Sequence, residues 1–205
     1  MVDQQKNVLA MRCPITRQRR MRGFTLIELM VTVTIGVILM MLAIPGFDSF
    51  RKNAELTSAS NSLMASLNAA RSEAMKKGTN SMVMPTDAGG SWNAGWKVFS
   101  FGATNTTQTF DAATDSVVFE QEAMPAYLRV TIPSGGASYV MFDASGYAKL
   151  KNGGFGANTL NISRNDLTGS ELHEQTRRVK ISSVGRVMVC KPRAAVDVNC
   201  PDTVN

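Results

Sequence analysis

The chain has 205 residues, with 22 Lys and Arg against 16 Asp and Glu, one His and three Cys. A single histidine and the absence of Cys/His pairs at ligand spacing exclude a zinc site of recognisable type, and no cofactor is implied. The basic balance does not indicate general nucleic-acid affinity either. Residues 1–23 hold Lys6, Arg12, Arg17, Arg19, Arg20 and Arg22 against Asp3 alone, so of the net charge of +6 only +1 belongs to the rest of the chain.

The basic block is followed by an apolar run at residues 24–47, FTLIELMVTVTIGVILMMLAIPGF. Crossing a hydrocarbon core of about 30 Å needs roughly 20 apolar residues at 1.5 Å each, and from Leu29 the run carries no charged side chain over such a length. A basic flank before it predicts a cytoplasmic N-terminus and an exported C-terminal domain. Only Glu28 interrupts the segment, and a carboxylate there costs about 2.5 to 3.5 kcal/mol near the bilayer centre, so it is expected to be shallow or partnered and functional. Charge and length alone also allow an uncleaved signal anchor, or a secretory signal cut near Ala43.

The six residues Gly23-Phe24-Thr25-Leu26-Ile27-Glu28, with the apolar run behind them, resemble the class III signal of type IV pilins and pseudopilins. The resemblance implies that a prepilin peptidase cuts between Gly23 and Phe24 and methylates the new amino group of Phe24. It implies that Glu28 serves assembly by charge pairing with a neighbouring subunit's amine, and that Pro45 loosens the helix. The 23-residue leader is long for that family, and Met1, Met11 and Met21 are all eligible starts. Cys13 leaves with the leader, so Cys190 and Cys200 are expected to close a short loop in the oxidising periplasm, worth about 2 to 3 kcal/mol. A metal site or a reactive thiol at these cysteines finds no supporting residues.

Beyond Pro45 the pattern stays helical. Leu56, Ala59, Leu63, Leu67, Ala70 and Ala74 recur at spacings of three and four, while Ser58, Asn61, Ser62, Ser66 and Asn68 make a face expected to be wet. Lys76 and Lys77 suit the C-terminal end of the helix dipole, Glu73 can pair with Lys77, and Gly78 can take the left-handed cap conformation. Within this helix Ala70-Arg71-Ser72-Glu73-Ala74 resembles a segment of the GspH/FimT branch of minor pilins and pseudopilins. Arg71 and Glu73 by themselves read as solvated helical charges.

From residue 81 short β-rich runs alternate with Gly, Asn, Asp and Thr. The strand candidates are 81–84, 96–101, 116–121, 128–132, 138–142, 148–150, 159–163, 177–182 and 186–190. Phe142 followed by Asp143-Ala-Ser-Gly146 reads as a strand and a tight turn with Gly146 at positive φ. Trp92, Trp96 and Phe99 read as core or edge aromatics. The expected fold class is α+β: a long N-terminal membrane-spanning helix packed on a C-terminal antiparallel β-sheet domain. The expected divisions are a cleaved leader at 1–23, a membrane helix at 24–47, an amphipathic continuation at 48–78 and a periplasmic β-rich domain at 79–205.

His173 stands among acids without a nucleophile motif, and no enzymatic activity is expected. Arg177, Arg178, Lys180, Arg186, Lys191 and Arg193 form an acid-free basic stretch. Strand alternation sends Arg178 and Lys180 outward and Val179 and Ile181 inward, so the stretch is a candidate duplex DNA or other anion contact, or a solvated edge that discourages aggregation. DNA-binding FimT-type pilins carry a Gly-Arg-x-Arg element, which Gly185-Arg186-Val187-Met188 matches only in its first two positions. The resemblance as a whole implies a minor type IV pilin of the inner membrane, whose partners are prepilin peptidase, other minor pilins and the major pilin in a tip or priming complex. The alternatives are a GspH-like pseudopilin of type II secretion and a DNA-binding competence pilin.

Overall fold

The computed structural model describes residues 23–203, apart from the side chains of residues 42–45. The basic leader and the side chain of Pro45, where the sequence predicts a bend, lie outside the described residues. The chain divides into two compact units, Met1–Gly46 and Phe47–Asn205. Helix α1, Leu26–Lys77, contributes residues to both.

In the first unit the helix begins with a side-chain cap, the Thr25 hydroxyl accepting from the Glu28 backbone N–H at 3.2 Å. The hydroxyls of Thr32 and Thr34 donate to the carbonyls of Leu29 and Met30 at 2.9 and 2.8 Å, so the two polar side chains after Glu28 are satisfied within the helix. Large apolar side chains are exposed along it, from Phe24 at 81% to Met41 at 68%. Among the described residues no single helix is long and apolar enough to cross a membrane. The segments Leu26–Met41 and Gly46–Lys77 satisfy length and composition only together.

In the second unit the rest of α1 packs on two antiparallel sheets. Strands β1 (Ser81–Pro85), β2 (Trp96–Ser100), β3 (Ser116–Gln121), β5 (Val140–Phe142) and β6 (Ala148–Lys149) form a sheet in the order β3-β2-β1-β5-β6. Strands β4 (Leu128–Thr131), β7 (Asn158–Arg164), β8 (Thr176–Ile181) and β9 (Val187–Cys190) form another, in the order β4-β7-β8-β9. A short helix α2, Gly169–Glu174, links β7 to β8.

The predicted helical stripe is the core face: Leu56, Leu63, Leu67, Ala70 and Ala74 are buried against Val83, Trp96, Val98, Val140 and Phe142 of the first sheet and Leu160, Ile162, Val179 and Ile181 of the second. Period-two alternation puts Met82, Phe99 and Met141 on the other side of the first sheet. There, with Phe101, they make a small second cluster that Phe110 and Tyr139 help cover. The expected wet face needs correcting at Ser66, which is buried because its Oγ accepts from Trp96 Nε1 at 2.9 Å. Ser62 likewise reaches Gln121 Oε1 at 2.6 Å.

Candidate functional site

Gly23 and Phe24 precede the first helical turn, and Glu28 is the acid of that turn. All three are exposed. Among the described residues, nothing in the first unit pairs with the Glu28 carboxylate.

The helix C-terminus is built as its sequence predicts. Gly78 sits at φ 67° with its N–H on the Ala74 carbonyl at 2.9 Å, and Glu73 pairs with Lys77 at 2.9 Å. Arg71 is not a solvated helical charge. Its Nε donates to the Gly146 carbonyl at 2.9 Å and its Nη2 to the Val184 carbonyl at 3.4 Å, tying the helix to the β5–β6 and β8–β9 turns at once. Gly146 has φ 80° in the predicted turn, whose Asp143 carboxylate accepts from the N–H groups of Ser145 and Tyr147 at 2.9 and 3.0 Å.

Where the helix enters the second unit, a chain of charges fixes it to β7. Lys52 Nζ lies 3.0 Å from Asp48 and 3.2 Å from Asp166, and Arg164 grips Asp166 with Nε and Nη2 at 2.9 and 2.6 Å. The Arg164 guanidinium, with Lys52 behind it, holds the Asp166 carboxyl well below the usual carboxylate range.

The six bases of the C-terminal stretch are not brought together, which corrects the single basic face read from the sequence. Arg177 turns to the helix, its Nη2 on Asn53 Oδ1 at 3.0 Å, and its burial pushes the guanidinium below its ordinary value. Arg178 and Lys180 do take the outer face of β8, but residues beyond β9 cover that face and leave Arg178 only 4% exposed. Strand alternation fixes a side chain's face and carries no information about what later folds over it. Arg186, Lys191 and Arg193 are exposed. The expected disulfide is present: Cys190 and Cys200 are bonded, closing the loop that carries the covering segment. His173 lies in α2, and no cluster of His, Cys, Asp and Glu able to hold a metal occurs among the described residues.

A capped apolar helix running into a two-sheet β domain defines a pilin-type subunit, and comparison with known proteins narrows the class. Residues 59–185 match the family described as Type II transport protein GspH, and residues 18–44 match the prokaryotic N-terminal methylation motif. The type IV minor pilin FimU of Pseudomonas aeruginosa PAO1 has the same fold, with a TM-score of 0.52 and 22% identity over 69% of this chain and 92% of that chain. The minor pseudopilin EpsH from the Type 2 Secretion System of Vibrio cholerae aligns with a TM-score of 0.46 and 16% identity over 67% of this chain and 97% of that one. No curated protein matches significantly. The chain belongs to the GspH family. It is therefore a minor pilin or pseudopilin, a structural subunit whose N-terminal motif implies processing by prepilin peptidase and anchoring in the inner membrane.

Proposed function

We propose that the chain is a minor type IV pilin. Prepilin peptidase cuts between Gly23 and Phe24 and methylates the Phe24 amine. The product stays in the inner membrane with its C-terminal domain in the periplasm, then joins other minor pilins and the major pilin at the filament tip or in the priming complex. The observation that carries this reading is an exposed apolar run at residues 24–47 whose one acid, Glu28, stands a turn from the amine that cleavage would create. In an apolar bundle that amine needs an anion. At an effective dielectric near 20, opposite unit charges about 4 Å apart attract by roughly 4 kcal/mol before desolvation, enough to set a docking register. The FimU fold supports the pilus assignment. N-terminal sequencing of the protein from its native host tests the first step: a mature chain beginning anywhere but Phe24 sinks the reading.

The family's own description favours a second reading, a pseudopilin of type II secretion. Deleting the gene separates the two: loss of pili with secretion intact supports the first, and the reverse outcome the second. A DNA-receptor role keeps only Arg186, Lys191 and Arg193 as exposed bases, a set suited to weak contacts that physiological salt would screen.

A further inference from the structure

The sheet β4-β7-β8-β9 turns an unusual face away from the core. Its strands contain no acidic residue, and register sets Thr131, Asn161 and Arg178 side by side with Thr159 beside Lys180 in the neighbouring row. A polar, cationic face of this kind has no need of a cover, yet residues 195–203 lie on it. The cover is not held by apolar burial, for Val196 and Val198 are 89% and 91% exposed. What it offers is acceptors. Arg178 Nη1 donates to the Cys200 carbonyl and Nη2 to the Ala195 carbonyl at 3.5 Å, Lys180 donates to the Pro201 carbonyl at 3.2 Å, and Thr159 Oγ1 to the Thr203 carbonyl at 3.1 Å.

Of the segment's two acids, Asp197 accepts from the backbone N–H groups of Arg193 and Asn199, and Asp202 is the one that meets the sheet. Asn161 Nδ2 donates to its Oδ1 at 2.6 Å, and the same oxygen lies 3.7 Å from Arg178 Nε. That distance is too long for a hydrogen bond, so Arg178 Nε is a buried donor without a partner, aimed at an oxyanion that does not quite fill the place. Asp202 is also reachable: its side chain is 42% exposed, on the wall of an open cleft of about 780 Å³ bordered by Pro133, Ser134 and Gly135.

We propose that Arg178 Nε, Asn161 Nδ2, Lys180 Nζ and Thr159 Oγ1 form a binding site for a compact tetrahedral oxyanion of the phosphate type, with the Asp202 carboxylate as its internal stand-in. Residues 201–203 follow the Cys190–Cys200 bond, so they can peel from the sheet while Cys200 stays fixed over Arg178. A tetrahedral anion brings more acceptor oxygens than a carboxylate and satisfies Arg178 Nε while recovering the Lys180 donor from the Pro201 carbonyl. Charge-assisted bonds of this kind are about twice as strong as neutral ones.

The test is equilibrium dialysis of inorganic phosphate against the full-length, disulfide-intact chain in detergent. Asp202→Ala is expected to bind at least tenfold more tightly than the unaltered chain. Adding Arg178→Gln or Lys180→Gln to Asp202→Ala should return binding to the starting level, and Lys180→Gln, at a partly exposed position, decides the matter if Arg178→Gln does not fold. A parallel titration with glycerol phosphate distinguishes a free from an esterified source, the tighter of the two naming it. Binding by Asp202→Ala no tighter than by the unaltered chain, or a gain that survives the loss of Lys180, overturns the proposal.

Discussion

Arg71 and Gly146, 75 positions apart in the chain, share a 2.9 Å hydrogen bond from guanidinium Nε to backbone carbonyl, and a Cβ on Gly185 would stand 1.9 Å from that same carbonyl oxygen. One helical side chain thus locks two turns that also press on each other. Gly146→Ala should cost about 1 to 2 kcal/mol, since its φ of 80° disfavours a side chain while the nearest atom, Met75 Sδ, belongs to a flexible group. Gly185→Ala should cost more, about 3 kcal/mol, because the obstacle is backbone. Urea midpoints of the three proteins check the order; equal losses would show that the turns are not in contact.

Removing the disulfide with Cys190→Ser and Cys200→Ser opens a loop of separation 10 and should lower stability by about 3 kcal/mol on the chain-entropy estimate. The buried helix–sheet core contains neither cysteine, so the fold should persist. Loss of all cooperative unfolding in the double variant would contradict this.

Acid should loosen the attachment of the helix to β7. The Asp166 carboxyl has a folded-state pKa below its unfolded value of about 3.9, so its contribution is fully present above that value and is lost as pH falls toward the folded one. Asp166→Asn should therefore be less stable than the unaltered chain at pH 7, by about 1 kcal/mol for a partly exposed network, with the gap closing between pH 4 and pH 2. A gap independent of pH would mean that the effect is packing rather than charge.

Glu28→Val should leave membrane retention and cleavage after Gly23 largely intact but reduce incorporation. The quantity to measure is the amount of this protein in sheared filaments relative to membranes. At about 4 kcal/mol before desolvation, even a quarter of the attraction surviving predicts a fivefold or larger fall. Equal incorporation would remove the charge-pairing role.

The local features of this fold were legible in the sequence because they depend on neighbours along the chain. All nine strand candidates occur within a residue or two, as do the helical stripe, the Gly78 cap and the Asp143–Gly146 turn. The division into two sheets was not legible, since β1 pairs with β2 and β5 while β7 pairs with β4 and β8, contacts that no local pattern encodes. Helix α2 was missed because its residues include no buried side chain and hence no apolar period. In the functional region, alternation put Arg178 on the correct face, but its cover comes from about twenty residues downstream. Ser66 passed as a wet residue because helical spacing cannot show that an indole N–H waits opposite it.

Trp92 and Trp96 are the only tryptophans in the chain, both are buried with ring centroids 6.4 Å apart, and Trp96 is hydrogen-bonded to the helix through Ser66. Their intrinsic emission therefore originates at one spot, the seam between helix and sheet, and needs no added label. A red shift on mixing with partner pilins would report water entering that seam, whereas an unchanged spectrum would mean that the domain enters the filament as a rigid body.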